Sequence, residues 1–216
     1  GNRMLSGYAS QANRLLLEGA APHKLDQVLY DFGMPMGVIA MADLAGLDIG
    51  YRMRQALDET QYDVESAYLY DNLVEMGRLG QKTGAGVYDY EPGDRTPKPS
   101  SITEKLLAEA AEKFNIKQRE IREEEIIERC FFSLFNVGCN ILHEGMAYRA
   151  SDIDTVYING YGFPAWRGGP MHWAEHAVGL EKILDRIREF ADTYGDKYWQ
   201  PSPLLEQLVA NGGSLR

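Results

Sequence analysis

The chain has 216 residues and a mass of 24.3 kDa, with 44% hydrophobic and 25% charged residues. Those values belong to one large or two small folded domains with a real core, and they exclude a disordered tail, a collagen-like fibre and a disulfide-stapled miniprotein. Its 22 basic and 32 acidic residues leave a net charge of -10, which repels phosphate backbones and anionic lipid, so no nucleic-acid partner is expected. By the same argument the chain alone is a poor docking surface for a polyanionic cofactor. No apolar run reaches the roughly 18 residues of a membrane span, and Gly1-Asn2-Arg3-Met4 opens no signal-peptide pattern.

Helical spacing recurs along nearly the whole chain. Met4, Leu5, Tyr8, Ala12, Leu15 and Leu16 mark a first helix that ends at Gly19. Leu25, Val28, Leu29 and Phe32 form the stripe of a second, with Pro22 in its first turn and Gly33 as its stop. A third follows Pro35-Met36-Gly37 and breaks near Gly46-Leu47-Asp48, where Asp48 is the expected N-cap of the segment from Ile49 to Leu57. Val87 to Tyr90 is the one strand-like piece. Residues 91–101 carry three prolines and a glycine and read as a linker. Beyond them Ile102, Leu106, Leu107, Ala110 and Phe114 mark an amphipathic helix. The longest helix places Ile127, Cys130, Phe131, Leu134, Gly138, Ile141 and Leu142 on one stripe. Leu180, Ile183, Leu184, Ile187 and Phe190 give a late helix that stops by Gly195, and Ser202-Pro203 opens a last short one. The expected fold class is all-α.

The two halves resemble each other. Leu16-Leu17-Glu18-Gly19, Asp26, Gly33-Met34-Pro35, Gly37, Ala42-Asp43 and Gly46-Leu47 are matched by Leu142-His143-Glu144-Gly145, Asp154, Gly162-Phe163-Pro164, Gly169, Ala174-Glu175 and Gly179-Leu180. A tandem duplication accounts for the shared order. The expected organisation is a first helical domain at 1–90, a linker at 91–101 and a second domain at 102–216, packed as a pseudo-dimer.

Several groups of residues carry chemical alternatives. Cys130 and Cys139 lie about two and a half helical turns apart, too far for an intrahelical disulfide, and read as reduced core residues of an intracellular protein. His172-Trp173-Ala174-Glu175-His176 matches a zinc-peptidase pattern in which two imidazoles share a helix face. The aligned residues of the first copy, Ala40 and Leu44, bind no metal, so packing histidines are expected and no metal site. Gly80-Gln81-Lys82-Thr83-Gly84-Ala85-Gly86 has the composition of a phosphate cradle but follows a helix instead of a strand, which favours a turn. Glu18 and Glu144 recur at equivalent helix ends, which points to a structural hydrogen bond. No catalytic triad and no G-x-G-x-x-G after a strand occur, so no complete catalytic set is expected in this chain.

Three blocks then carry a family resemblance. Phe32-Gly33-Met34-Pro35-Met36-Gly37 through Ala42-Asp43-Leu44-Ala45-Gly46-Leu47-Asp48, Gly80 to Tyr88, and Gly160-Tyr161-Gly162-Phe163-Pro164-Ala165-Trp166-Arg167-Gly168-Gly169-Pro170-Met171 are similar to the C-terminal region of 3-hydroxyacyl-CoA dehydrogenases. The similarity is to the duplicated form found in multifunctional fatty-acid β-oxidation enzymes, peroxisomal and bacterial, and it covers nearly the whole chain.

The resemblance implies a preceding Rossmann domain that binds NAD and carries a His-Glu base, neither of which lies in these residues. In such an enzyme the base takes the 3-hydroxyl proton of an (S)-3-hydroxyacyl-CoA while hydride leaves C3 for the nicotinamide. The family's asparagine that hydrogen-bonds the substrate aligns with Asn2, although an asparagine before Met4 and Leu5 also reads as a helix cap. The implied partners are the upstream Rossmann domain and the acyl-CoA substrate, with the second helical copy in the place of a partner subunit. The isolated chain is expected to fold, and neither to bind NAD tightly nor to turn over substrate. The rival reading is a non-enzymatic helical interaction scaffold. Ser214-Leu215-Arg216 is not the S-K-L peroxisomal signal, so a bacterial cytoplasm is the expected compartment, with a peroxisome as the alternative.

Overall fold

The computed structural model describes residues 1–195 and 199–215. Helices α1 (Asn2–Leu17), α2 (Pro22–Phe32), α3 (Val38–Ala45) and α4 (Asp48–Arg54) follow the apolar spacing. Asp48 is the first residue of α4 and not its cap, a position held by Leu47, and its carboxylate pairs with the Lys82 ammonium and with Arg52 at 3.2 Å. Helix α5 (Val64–Glu75) has no clean stripe in the sequence. It is opened by Asp63, whose carboxylate accepts the Ser66 N–H, and it buries Ala67, Leu69 and Leu73.

Among the described residues the extended pieces make only isolated bridges, Gly80↔Ala85, Ala85↔Asp89 and Asp89↔Lys98, so Val87 to Tyr90 forms no strand. Helix α6 (Ser101–Lys113) packs on α5. The turn before α6 is tied down by Arg78, which donates to the Gly86 carbonyl at 2.8 Å, to Asp89 at 2.7 Å and to the Ser100 hydroxyl at 3.0 Å.

Helix α7 (Glu123–His143) buries residues on nearly every side instead of one stripe, Phe131, Phe132, Phe135 and Arg129 among them. Such a helix is an interior element, and its apolar pattern extends well beyond a single face. Cys130 and Cys139 are both buried thiols in it, and burial pushes the Cys139 thiol up. Helices α8 (Ala150–Gly160), α9 (Pro170–Trp173), α10 (Leu180–Tyr194) and α11 (Pro203–Asn211) complete the chain, with a π-helical turn at Ala174–Val178 between α9 and α10. No helix among the described residues is long and apolar enough to cross a membrane.

The chain divides into two compact units. One comprises Ala12–Asp31 and Met36–Glu123, the other Gly1–Gln11, Phe32–Pro35 and Glu124–Arg216. Within the first, Leu15, Leu25, Leu29, Leu69, Leu73 and Ala110 are sealed from solvent. Within the second, Phe32, Phe131, Phe163 and Trp173 form an aromatic cluster with ring centroids 4.2 to 6.5 Å apart. The Arg167 guanidinium covers the Phe32 ring at 3.9 Å.

Candidate functional site

Gly1 accepts the Leu5 N–H through its carbonyl at 3.0 Å, so Asn2 is already inside the first turn of α1. The Asn2 side chain is exposed, and its Oδ1 accepts a hydrogen bond from the Tyr161 hydroxyl at 2.6 Å. Tyr161 stacks on Tyr157 with centroids 4.8 Å apart, and the Tyr157 hydroxyl donates to the Gly1 carbonyl at 3.0 Å. Burial pushes the Tyr157 phenol up, so it stays a neutral donor. Next along α1, Arg3 grips Glu144 with both terminal nitrogens, one of them at 2.7 Å. The hydrogen bond raises the Arg3 pKa and lowers that of Glu144. Tyr157 escapes the sequence argument because α8 shows no stripe that would set it apart from core residues, and Tyr161 and Arg3 escape it because their partners Asn2 and Glu144 lie 159 and 141 residues away.

The recurring carboxylates fall at equivalent places. Asp26 accepts the N–H groups of Ile39 at 2.9 Å and Ala40 at 2.8 Å, and the Tyr88 hydroxyl at 2.8 Å. Asp154 accepts the N–H of Met171 at 2.7 Å and of His172 at 3.2 Å. Each carboxylate thus satisfies the otherwise orphaned donors at the start of the helix that follows it. A Cβ on Gly37 would lie 2.1 Å from Asp26 Oδ1, and one on Gly169 2.3 Å from Asp154 Cβ, so only glycine admits the approach. Burial raises the pKa of both, Asp154 to about 6.

The same geometry bears on two sequence alternatives. His172 serves Asp154 through its backbone, and the His172 and His176 rings lie 4.4 Å apart on the surface. Exposed rings correct the expectation of packing histidines. Glu175 lies 3.6 Å from His176 and accepts the Leu215 N–H at 2.8 Å. Among the described residues no three His, Cys, Asp or Glu side chains meet where a metal ion would need them.

In the Gly80–Gly86 segment, Lys82 is paired with Asp48, and Thr83 Oγ1 accepts the Leu79 N–H at 2.9 Å. The backbone N–H groups of Gly80, Thr83, Gly84 and Gly86 all bond neighbouring carbonyls, as in a tight turn. It is a turn whose closing strap, Val87 and Tyr88, donates both N–H groups to the buried Asp43 at 2.8 and 2.9 Å. Glu18 and Glu144 both carry ion pairs, Glu18 with Arg119 at 3.0 Å and Glu144 with Arg3. Among the described residues no strand leads through a glycine loop into a helix.

Comparison with known proteins agrees with this architecture. The family described as 3-hydroxyacyl-CoA dehydrogenase, C-terminal domain, matches two stretches, residues 1–90 and 126–215. The peroxisomal bifunctional enzymes of Danio rerio and Homo sapiens are 44% and 40% identical over 226 residues, in each case 98% of this chain and 31% of the relative. The chain therefore spans about a third of the length of these relatives. The dehydrogenase part of multifunctional enzyme 1 from C. elegans superposes with a TM-score of 0.76 at 26% identity, over 95% of this chain and 46% of that one. The relatives are peroxisomal by name, which does not support the bacterial cytoplasm expected from the last tripeptide, whose Arg216 lies outside the described residues. With both matched stretches all-helical and in the expected order, the chain belongs to the 3-hydroxyacyl-CoA dehydrogenase C-terminal domain family.

Proposed function

We propose that this chain is the substrate-side helical part of an NAD-dependent (S)-3-hydroxyacyl-CoA dehydrogenase of fatty-acid β-oxidation, working within a longer peroxisomal polypeptide. The observation that carries the reading is Asn2, exposed at the head of α1 with its amide oxygen held by Tyr161. Held that way, the side chain turns its amide N–H groups outward as donors for an oxygen of the substrate. The Tyr157–Tyr161 stack and the Tyr157 bond to Gly1 restrain the amide before substrate arrives, which is the kind of preorganisation that lowers a barrier.

The base and the dinucleotide belong to the preceding Rossmann domain, so the chain alone neither holds NAD tightly nor turns over substrate. As inherited units the two copies are residues 1–90 and 102–216 with 91–101 between them. The second stands where single-copy dehydrogenases have a partner subunit.

The test is complementation. The chain is mixed with the polypeptide encoded immediately upstream, and NADH loss is followed with acetoacetyl-CoA. Activity that needs both pieces and falls about 100-fold with Asn2→Ala supports the reading. Turnover by the pure chain sinks it, and an associated but inactive pair favours an interaction scaffold.

A further inference from the structure

The matching turns of the two copies differ in length. One residue separates Pro35 from Gly37, whereas four separate Pro164 from Gly169, Ala165 to Gly168. Gly37 and Gly169 do the same work against Asp26 and Asp154, so the shorter turn already suffices for the backbone anchor. The longer one forms a 3-10 turn, Ala165–Arg167, and adds a tryptophan and an arginine that the anchor does not need.

Arg167 is held in place without being neutralised. Its guanidinium carbon lies 3.9 Å from the Phe32 ring centroid and 4.1 Å from that of Trp166, and its Nε donates to the Phe32 carbonyl at 3.0 Å. Among the described residues no carboxylate reaches it, and burial pulls its pKa down with no acid to offset the effect. Arg3 and Arg186, by contrast, are paired with Glu144 and Glu128. The terminal nitrogens of Arg167 therefore form an oriented fork without an acceptor, a shape that matches a carboxylate. Beside it the Trp166 indole is 73% exposed. Tryptophan and arginine are the residue types that concentrate binding energy at protein interfaces.

Charge and coverage fix the occupant. An indole standing in solvent encloses no small anion, and a net charge of -10 repels nucleic acid and anionic lipid. A protein surface that offers the indole an apolar pocket, with an aspartate or glutamate beside it, satisfies both side chains. The chain spans about a third of its relatives' length, and the rest of such a polypeptide is tethered to it at high effective concentration. We infer that Trp166 and Arg167 are a docking anchor for the upstream part of the parent polypeptide, which supplies that pocket and that carboxylate. The inference rests on the reading of this chain as part of a longer enzyme and is independent of the role of Asn2.

The test is calorimetric titration of this chain with the polypeptide encoded immediately upstream. Trp166→Ala and Arg167→Ala are each expected to weaken the association at least tenfold. Arg95→Ala, which removes an exposed cation elsewhere, is expected to leave it unchanged. Trp166→Ala alters a side chain that stands in solvent, so its urea midpoint should stay at the wild-type value, and it carries the test even where Arg167→Ala fails to fold. Affinity indifferent to Trp166→Ala, an equal loss with Arg95→Ala, or no association of the wild-type pair overturns the assignment. So does a concentration-dependent dimer of this chain, seen by sedimentation, that Trp166→Ala abolishes, since the occupant is then a second copy. Turnover in the complementation assay separates the two claims. A pair that binds through Trp166 without turnover removes the dehydrogenase reading, and turnover by a pair indifferent to Trp166→Ala removes this one.

Discussion

Asp26 in one unit and Asp154 in the other perform one task with different help. Both are buried, both take two N–H groups from the start of the helix that follows, and both sit against a glycine that cannot carry a Cβ. Asp26 adds a third donor, the Tyr88 hydroxyl, brought in by the strap that also caps Asp43. At the position matching Asp43 the other unit has Glu175, which reaches one methylene further and takes the Leu215 N–H of the C-terminal segment. Duplication has kept the backbone anchor, whose geometry is set by helix N-terminal donors, and has let the outer ligands diverge. The anchor tolerates no change of shape, while the outer shell needs only some donor to meet each buried oxygen.

Breaking the anchor is the largest effect expected. Gly169→Ala meets two penalties, a Cβ driven onto Asp154 and a backbone at φ +104, and is expected to cost about 2–5 kcal/mol in urea unfolding. Gly37 has an ordinary φ of -70, so Gly37→Ala meets only the clash with Asp26 and is expected to cost less, about 1–3 kcal/mol. Equal losses at the two sites would show that backbone strain contributes nothing.

A middle-sized effect follows from pH. Burial raises Asp154 to about 6, above its unfolded value, so the native state holds this proton more tightly. Its share of stability is fully present below about pH 4 and is lost as pH rises to about 6, by at most about 3 kcal/mol. Asp26 and Asp43 are raised in the same direction. The difference in urea midpoint between wild type and Asp154→Asn, measured from pH 4 to 7, should therefore change across that window and be flat above it. A flat difference throughout would mean that the two backbone donors outweigh burial.

The smallest contrast separates the paired glutamates. Glu18 is buried against Arg119, whereas Glu144 and Arg3 are both exposed. Arg119→Ala is expected to lower stability by about 1–3 kcal/mol, since it removes a charged hydrogen-bond partner from a buried carboxylate. Arg3→Ala is expected to leave the urea midpoint where it is, because exposed pairs are screened by water.

Most helices were legible because their signal is local: α2 runs from Pro22 to Phe32 between the residues that mark its ends. Helices α5 and α8 were not, since Tyr68, Tyr70, Tyr157 and Asn159 blur the contrast between their faces. The turn at Gly80–Gly86 was legible because a helix precedes it. The histidines were misread because a sequence spacing tells that two rings share a helix face without telling whether that face meets solvent.

The candidate site divides in the same way. Asn2 is singled out by motif resemblance alone, yet the tyrosine bonded to it is 159 residues away, and no local rule joins them. By itself the sequence determined the helical class, the duplication and the glycines at Gly37 and Gly169, because periodicity and repetition survive without coordinates. Only the tertiary structure decided that those glycines seat Asp26 and Asp154, that Lys82 is already paired, and that Tyr161 meets Asn2. Each of these depends on groups distant in the chain meeting within hydrogen-bonding or van der Waals range, and close approach of that kind is a property of packing.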